Sequence, residues 1–224
     1  MNPVQFSEID FADISKIKVR YEVAPLSFNY NWRILRISFS GNYGHGSEGN
    51  NDALYMRAMV DAAVTVFYPD GLIYDFQELS YTWGDQLDKV LFPPECLAGQ
   101  SEPPPFAITT GSNCEEAIFT LFRDLNFDRD ALSWVFNTSS SAADYVVGIL
   151  RGADSQRFEE NRKEKDQRDR DFWDLLGEEV GPEECRHPGC KHKHIGHSVL
   201  CRVHHFERYC RHPCPFIEAR NNEP

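Results

Sequence analysis

Long apolar runs are missing from this sequence. No stretch approaches the ~18 residues that a membrane span requires. The opening MNPVQFSEIDFADISKIKV has acids early and no apolar run after a basic start, unlike a secretory signal. A cytoplasmic protein with no membrane segment is therefore expected. Residues 1–150 hold little cysteine, only Cys96 and Cys114. The chain has no G-x-x-x-x-G-K-[ST], which excludes a phosphate loop, and no H-E-x-x-H, which excludes the common metallohydrolase helix. It has no C-x-x-C, the spacing of thioredoxin-like dithiols. Basic residues are also in deficit, 23 Lys and Arg against 35 Asp and Glu, for a net charge of −12.

The charge that is present is unevenly spread. Residues 1–150 carry 20 acids against 9 bases, whereas residues 185–224 carry 3 against 7. The acidic body repels a phosphate backbone at long range, so only the tail offers nucleic acid an attractive surface. Five of the seven cysteines and seven of the eight histidines lie in those same last 40 residues. In a cytoplasmic chain such crowding points to metal rather than to disulfides. The 224 residues, 41% of them hydrophobic, suffice for one ordinary core and a small appendage.

Periodicity divides the body into alternating elements. Residues 16–23 and 32–41 read as strands, the second with Leu35, Ile37 and Phe39 on one face. Residues 51–68 read as a helix capped by Asn51 or Asp52, with Leu54, Met56, Met59, Val60, Ala63, Val64 and Phe67 on its apolar side. Further strands are expected at 72–79, 106–111 and 132–137, and helices at 83–92, 114–125 and 140–151. This order predicts an α/β fold, a mostly parallel sheet with helices on its faces and an antiparallel pair at one edge. A second, charged helix is expected from Ser155 to Leu176, ending at Gly177, its acids and bases four residues apart in pairs such as Glu159–Lys163. Three regions follow: an α/β domain over 1–150, a charged helical linker over 151–181 and a Cys/His-rich module over 182–224.

The tail reads ECRHPGCKHKHIGHSVLCRVHHFERYC over residues 184–210. Structural zinc takes four tetrahedral sulfur or nitrogen ligands. Pro188 and Gly189 supply a turn, and a positive φ at Gly189 lets Cys185 and Cys190 face one point. If a helix starts near Cys201, His204 at i+3 or His205 at i+4 shares the face of its sulfur. Cys185, Cys190, Cys201 and His204 thus close a Cys3His site, with His205 the alternative fourth ligand. So short and polar a segment cannot offset its chain entropy alone, and structural zinc supplies about 10–16 kcal/mol in small fingers. Cys210 and Cys214 remain, in CRHPC. They form either a redox-labile pair or a second zinc site with two of His187, His192, His194, His197, His205 and His212.

The matched positions Cys185, Gly189, Cys190, Cys201 and His204 resemble short zinc fingers of the pattern C-x4-C-x10-C-x2-H. That resemblance implies a structural role in protein or nucleic-acid contact. For nucleic acid the candidate bases are Arg186, Lys191, Lys193, Arg202, Arg208 and Arg211. The body resembles STAS domains, those of anti-sigma-factor antagonists, through RILRISFSG, LIYDFQELSY, FAITTGSNCEEAIFTLF and LSWVFNTSSSAADYVV. The phosphorylated serine of that family falls at Thr82, with Tyr81 where the family has aspartate. LSYTWGDQL also resembles the glycine-bearing turn of crotonase-like cores, which implies that the Gly84 amide lines an oxyanion hole.

Within the body, Asp75, Thr82, Gly84 and Asp85 sit where open α/β sheets place their sites, at strand carboxyl ends. His45, in a glycine-rich loop, offers an acid or base. Cys114, at a strand-to-helix turn, offers a thiol that a helix N-terminus would acidify. The expected function is a non-enzymatic cytoplasmic adaptor or regulator with one zinc ion and room for a second. Its expected partner is a protein, with nucleic acid as an option for the basic module. The alternative is a crotonase-like enzyme acting on an acyl or carbonyl substrate.

Overall fold

Two long strands, β2 (Arg33–Asn42) and β3 (Gly71–Ser80), run parallel at the heart of a five-stranded sheet. The computed structural model describes residues 4–29, 31–84, 86–91, 103–129 and 132–217. β1 (Lys18–Pro25) pairs antiparallel with β2, while β4 (Phe106–Thr110) and β5 (Val135–Phe136) continue the parallel set. The spatial order is β1-β2-β3-β4-β5, so the expected mostly parallel sheet with an antiparallel edge is what forms.

Alternation sorts the side chains. Leu35, Ile37 and Phe39 of β2 and Leu72, Tyr74 and Phe76 of β3 are fully buried on one face. They pack with Met56, Val60 and Val64 of α1 (Asn50–Phe67), Val90 and Leu91 of α2 (Asp88–Leu91), and Ile118 and Phe122 of α3 (Glu115–Asp124). The intervening Ile34, Ile73 and Ala107 face the other way. There they pack with Ala142, Val146 and Leu150 from the first half of α4 (Ser139–Leu175). Helices thus cover both faces.

Details differ from the sequence reading for local reasons. In α1 the buried stripe runs through Ala53 and Met56, and Leu54 is exposed. Asp52 does not cap the helix: its carboxylate accepts from the Gly44 N–H at 2.9 Å and the Ser15 hydroxyl at 2.5 Å, tying down the glycine-rich loop. Of the helix expected over 83–92, the described residues form α2. The two helices expected before and after residue 152 are one, α4. Gly152 costs only about 1 kcal/mol in a helix and no proline intervenes, so nothing stops it. Gly177, at φ +66°, follows its end as expected.

The chain divides into two compact units, residues 1–154 and residues 155–224. The second has its own core: Trp173 and Leu176 from the end of α4, Ile195, and Val203 and Phe206 of α5 (Arg202–Cys210).

Candidate metal centre

The second unit brings its cysteines together through a small knuckle. Glu184 and Lys193 form an antiparallel bridge, and the Cys185 N–H donates to the His192 carbonyl at 2.7 Å. Between them the chain turns at Gly189, whose φ of +79° is the left-handed conformation that favours glycine. The Cys190 N–H donates back to the His187 carbonyl at 3.1 Å, which returns the second sulfur toward the first. Cys201 is the residue before α5, with extended backbone (φ −68°, ψ 168°). One turn into the helix, His204 lies on the same face.

α5 has no side-chain cap of its own. Glu179 supplies one from outside, its carboxylate accepting the Arg202 N–H at 2.9 Å. The Arg202 guanidinium donates twice to the Trp173 carbonyl, at 2.6 and 3.0 Å, and lies 4.1 Å over the Trp173 ring. Position and tilt of the helix are therefore held by one arginine, one glutamate and the apolar core.

The outcome is a convergence of four donor atoms. The Cys190 and Cys201 sulfurs are 3.8 Å apart, and His204 Nδ1 lies 3.1 Å from the Cys201 sulfur and 3.4 Å from that of Cys185. All four atoms lie within 4.8 Å of one another. A tetrahedral zinc with Zn–S of ~2.3 Å and Zn–N of ~2.0 Å has edges of about 3.8 Å between sulfurs and about 3.5 Å between sulfur and nitrogen. The donor set fits that frame. The His187 N–H points at the Cys185 sulfur from 3.4 Å, and the His187 ring stacks on His204 at 3.7 Å and 9°. Burial alone pushes the Cys185 thiol up, but the N–H groups of Cys201 and His187 and the thiols of Cys201 and Cys190 outweigh it. The group sits below its ordinary value, toward the thiolate that a metal needs.

His205 is not part of this group. Its Nδ1 is 2.8 Å from the Ser198 hydroxyl, and its ring stacks on Tyr209 at 4.6 Å. Burial, with His197 and Arg208 beside it, pushes its imidazole down. His197 lies near it, ring centroids 6.0 Å apart, along an open hollow that Arg208 and Tyr209 also line. Cys214 is buried in the core, its N–H donating to Glu207 at 3.3 Å. Cys210 instead joins Asp169 and His212 in a second cluster of donor atoms. Nothing in the local sequence announced Asp169, which lies on α4, 41 residues before Cys210. Of the tail's bases, Arg202 is spent on Trp173, and Lys193 donates to the Pro182 carbonyl at 2.9 Å.

In the first unit the candidates scatter. Asp75 is buried and fully engaged. It accepts from the hydroxyls of Thr109 at 2.8 Å, Ser38 at 3.3 Å and Ser139 at 3.5 Å, and from the Gln77 N–H at 3.1 Å. Thr82 and Trp83 are exposed beside His45, whose Nδ1 is 3.4 Å from the Thr82 hydroxyl. Gly84 is buried and bridged to Gly46, and a Cβ on it would lie 2.5 Å from the Tyr43 ring, so that side of the glycine is filled. Asp85 lies outside the described residues. Cys114 is buried, and the expectation of an acidified thiol fails. Burial pushes it up despite the Gly111 N–H, and the carboxylates of Glu115 and Asp75 push the same way.

No protein-family model and no curated protein matches the chain. Among solved structures, the crystal structure of an anti-sigma factor antagonist from Mycobacterium paratuberculosis is similar to it. Identity is 17% and the TM-score 0.39, over 58% of this chain and 94% of that one. Among the described residues, no helix is long and apolar enough to cross a membrane.

Proposed function

We propose that the chain is a non-enzymatic cytoplasmic adaptor or regulator. In this reading residues 1–150 form the regulatory body, 151–181 a charged helical linker and 182–224 a module folded around one structural zinc ion. The observation that carries it is the convergence of three sulfurs and one imidazole nitrogen within 4.8 Å, spaced close to the edges of a zinc tetrahedron. Three soft thiolates and an imidazole select zinc over magnesium or calcium, which want oxygen. With Cys185, Cys190, Cys201 and His204 as ligands, the protein fills all four positions, the mark of a structural rather than a catalytic ion. The ion would supply folding free energy. The chain's own residues orient the donors: His187 supports the His204 ring and an N–H supports the Cys185 sulfur, the outer-shell contacts that fix ligand geometry.

A folded module of this size is a contact surface, and its chemistry favours protein. Tyr209 is 66% exposed and Val199 45%, on the hollow that His197 and Arg208 also line. Tyrosine and arginine are enriched at protein interfaces. Nucleic acid is the less supported partner, because Arg202 and Lys193 are engaged internally. The test of the zinc reading is native mass spectrometry of protein never exposed to chelator, compared with Cys190→Ser. The variant should lack an ion that the wild type holds, and a metal-free wild type refutes the reading. For the partner, crosslinking of wild type and of zinc-loaded Tyr209→Ala should differ in the proteins captured. A salt-dependent affinity for duplex or single-stranded nucleic acid would instead move the assignment to that partner.

A further inference from the structure

Beyond the Cys3His group, the geometry points to a second metal site. We propose that Asp169, Cys210 and His212 bind one zinc-class divalent ion through three protein ligands, with the fourth position left to solvent.

The three residues meet by design of the local backbone. Cys210 is the last residue of α5, and Arg211 after it takes the left-handed conformation at φ +58°, unusual for a residue with a β-carbon. That turn sets His212 beside Cys210 and against Asp169 on α4, and the three donor atoms all lie within 4.8 Å of one another. His212 Nε2 is 3.1 Å from the Asp169 carboxylate, and His212 Nδ1 is 3.0 Å from the Pro213 carbonyl.

The second distance decides how the ring presents itself. A carbonyl oxygen only accepts, so Nδ1 carries a hydrogen and donates to Pro213. In the neutral ring Nε2 is then a bare lone pair. It faces a carboxylate oxygen, another lone pair, and the Cys210 sulfur is the third. Acceptors turned toward one another need a cation between them, which is either a proton on Nε2 or a metal ion that the three atoms share. A carbonyl on the far ring nitrogen is also the usual support of a metal-bound histidine. Zinc bonds of ~2.0–2.2 Å to oxygen and nitrogen put those two atoms about 3.3–3.6 Å apart in a tetrahedron, a few tenths of an ångström wider than the 3.1 Å here. The His212 ring packs edge-on against Phe206, ring centroids 5.5 Å apart, which holds its plane.

This site differs from the first in kind. The side chains of His212 and Asp169 keep 25% and 13% of their exposure, so water reaches the group. Three ligands with an open position allow ligand exchange, whereas the Cys3His group is closed. Binding is balanced by one proton: the Cys210 S–H bond breaks, a sulfur–metal bond forms, and the proton goes to water. Asp169 and the thiolate then neutralise the dication, while the imidazole adds no charge.

The alternative is a protonated His212 paired with Asp169 and no metal. Metal counting on the full chain separates the two. Wild type equilibrated with zinc and passed through a desalting column should carry two ions. Asp169→Asn, Cys210→Ser and His212→Asn should each carry one and keep hydrogen-exchange protection across α5, which reports that the Cys3His group is intact. Cobalt titration of metal-free protein adds an independent readout. The first equivalent should give intense thiolate charge-transfer absorption, and the second a weaker band that Cys210→Ser abolishes. One ion in the wild type overturns the proposal, as do two ions retained in His212→Asn. A variant holding no ion reports damage to the first group instead, and the cobalt band of the remaining two variants then decides.

Discussion

Take away one ligand, Cys201, and the second unit should lose its fold while the first keeps its own. Cys201 is fully buried, with His204 Nδ1 3.1 Å and the Cys190 sulfur 3.8 Å from its Sγ. Serine keeps the size and discards the thiolate. A structural zinc contributes about 10–16 kcal/mol, at least as much as the 5–15 kcal/mol of net stability of a typical domain. The apolar core of the unit consists mainly of Trp173, Leu176, Ile195, Val203 and Phe206. At roughly 1.5–3 kcal/mol for each buried side chain, it cannot substitute for the ion once chain entropy is counted. In wild type the effect can be graded. Where the unit is folded, each tenfold rise in free zinc adds about 1.4 kcal/mol, and at roughly 4–8 °C per kcal/mol for a domain this small its melting temperature should rise by about 5–11 °C. The assay is hydrogen exchange read by mass spectrometry on Cys201→Ser and on chelated wild type. Peptides across α5 should exchange freely, and those across β2 and β3 should match untreated wild type. Full protection of α5 without metal would show that the reasoning about this unit is wrong.

Other consequences can be checked alongside. Cys114 should resist iodoacetamide at neutral pH in the folded protein and react once unfolded, because burial holds its thiol up. A folded value above the ordinary 9.0 means that its contribution to stability is complete below that pH and is lost as pH rises through the higher value. Denaturant midpoints of the first unit should therefore fall on the alkaline side; a midpoint that rises there contradicts the assignment. Gly84→Ala should cost about 1–3 kcal/mol by overpacking, since its Cβ would lie 2.5 Å from the Tyr43 ring. Tyr43→Ala in the same chain should relieve that clash, which a double-mutant cycle measures. Arg202→Ala should destabilise the second unit by about 1.5–3 kcal/mol, the worth of hydrogen bonds from a charged donor. Arg202→Lys should not rescue it, because a single ammonium cannot reproduce the paired bonds to Trp173; thermal melts of both variants give the comparison.

Sequence pattern carried the α/β order well, because period-two and period-3.6 apolar spacing are set by the same sheet and helix faces that bury Leu35, Ile37, Met56 and Val60. It also picked out four side chains whose donor atoms lie within 4.8 Å of one another, since glycine turns and helical spacing are local. It failed where local rules tie. His204 and His205 both sit one turn from Cys201. Ser198 and Tyr209, which claim His205, are identified only by the folded chain. Arg202 looked like a phosphate contact because charge alone does not reveal the Trp173 carbonyl it binds. Asp169 looked like one more acid on a solvated helix. Only tertiary structure sets it against Cys210 and His212. The helices expected over 140–151 and 155–176 are one, because a lone glycine such as Gly152 weakens a helix without ending it.

The Asp75 clasp bears on how the sheet avoids mispairing. Asp75 lies directly across from Ser38 on β2 and Thr109 on β4, and both hydroxyls donate to it. Sliding β3 by one residue against either neighbour would turn the carboxylate toward the side filled by Leu35, Ile37 and Phe39 and take it from the Ser38 and Thr109 hydroxyls. An ionised group is far less forgiving of such a slip than an apolar one. Burying a carboxylate away from its donors is costly, so Asp75 favours this one strand alignment over its neighbours in register.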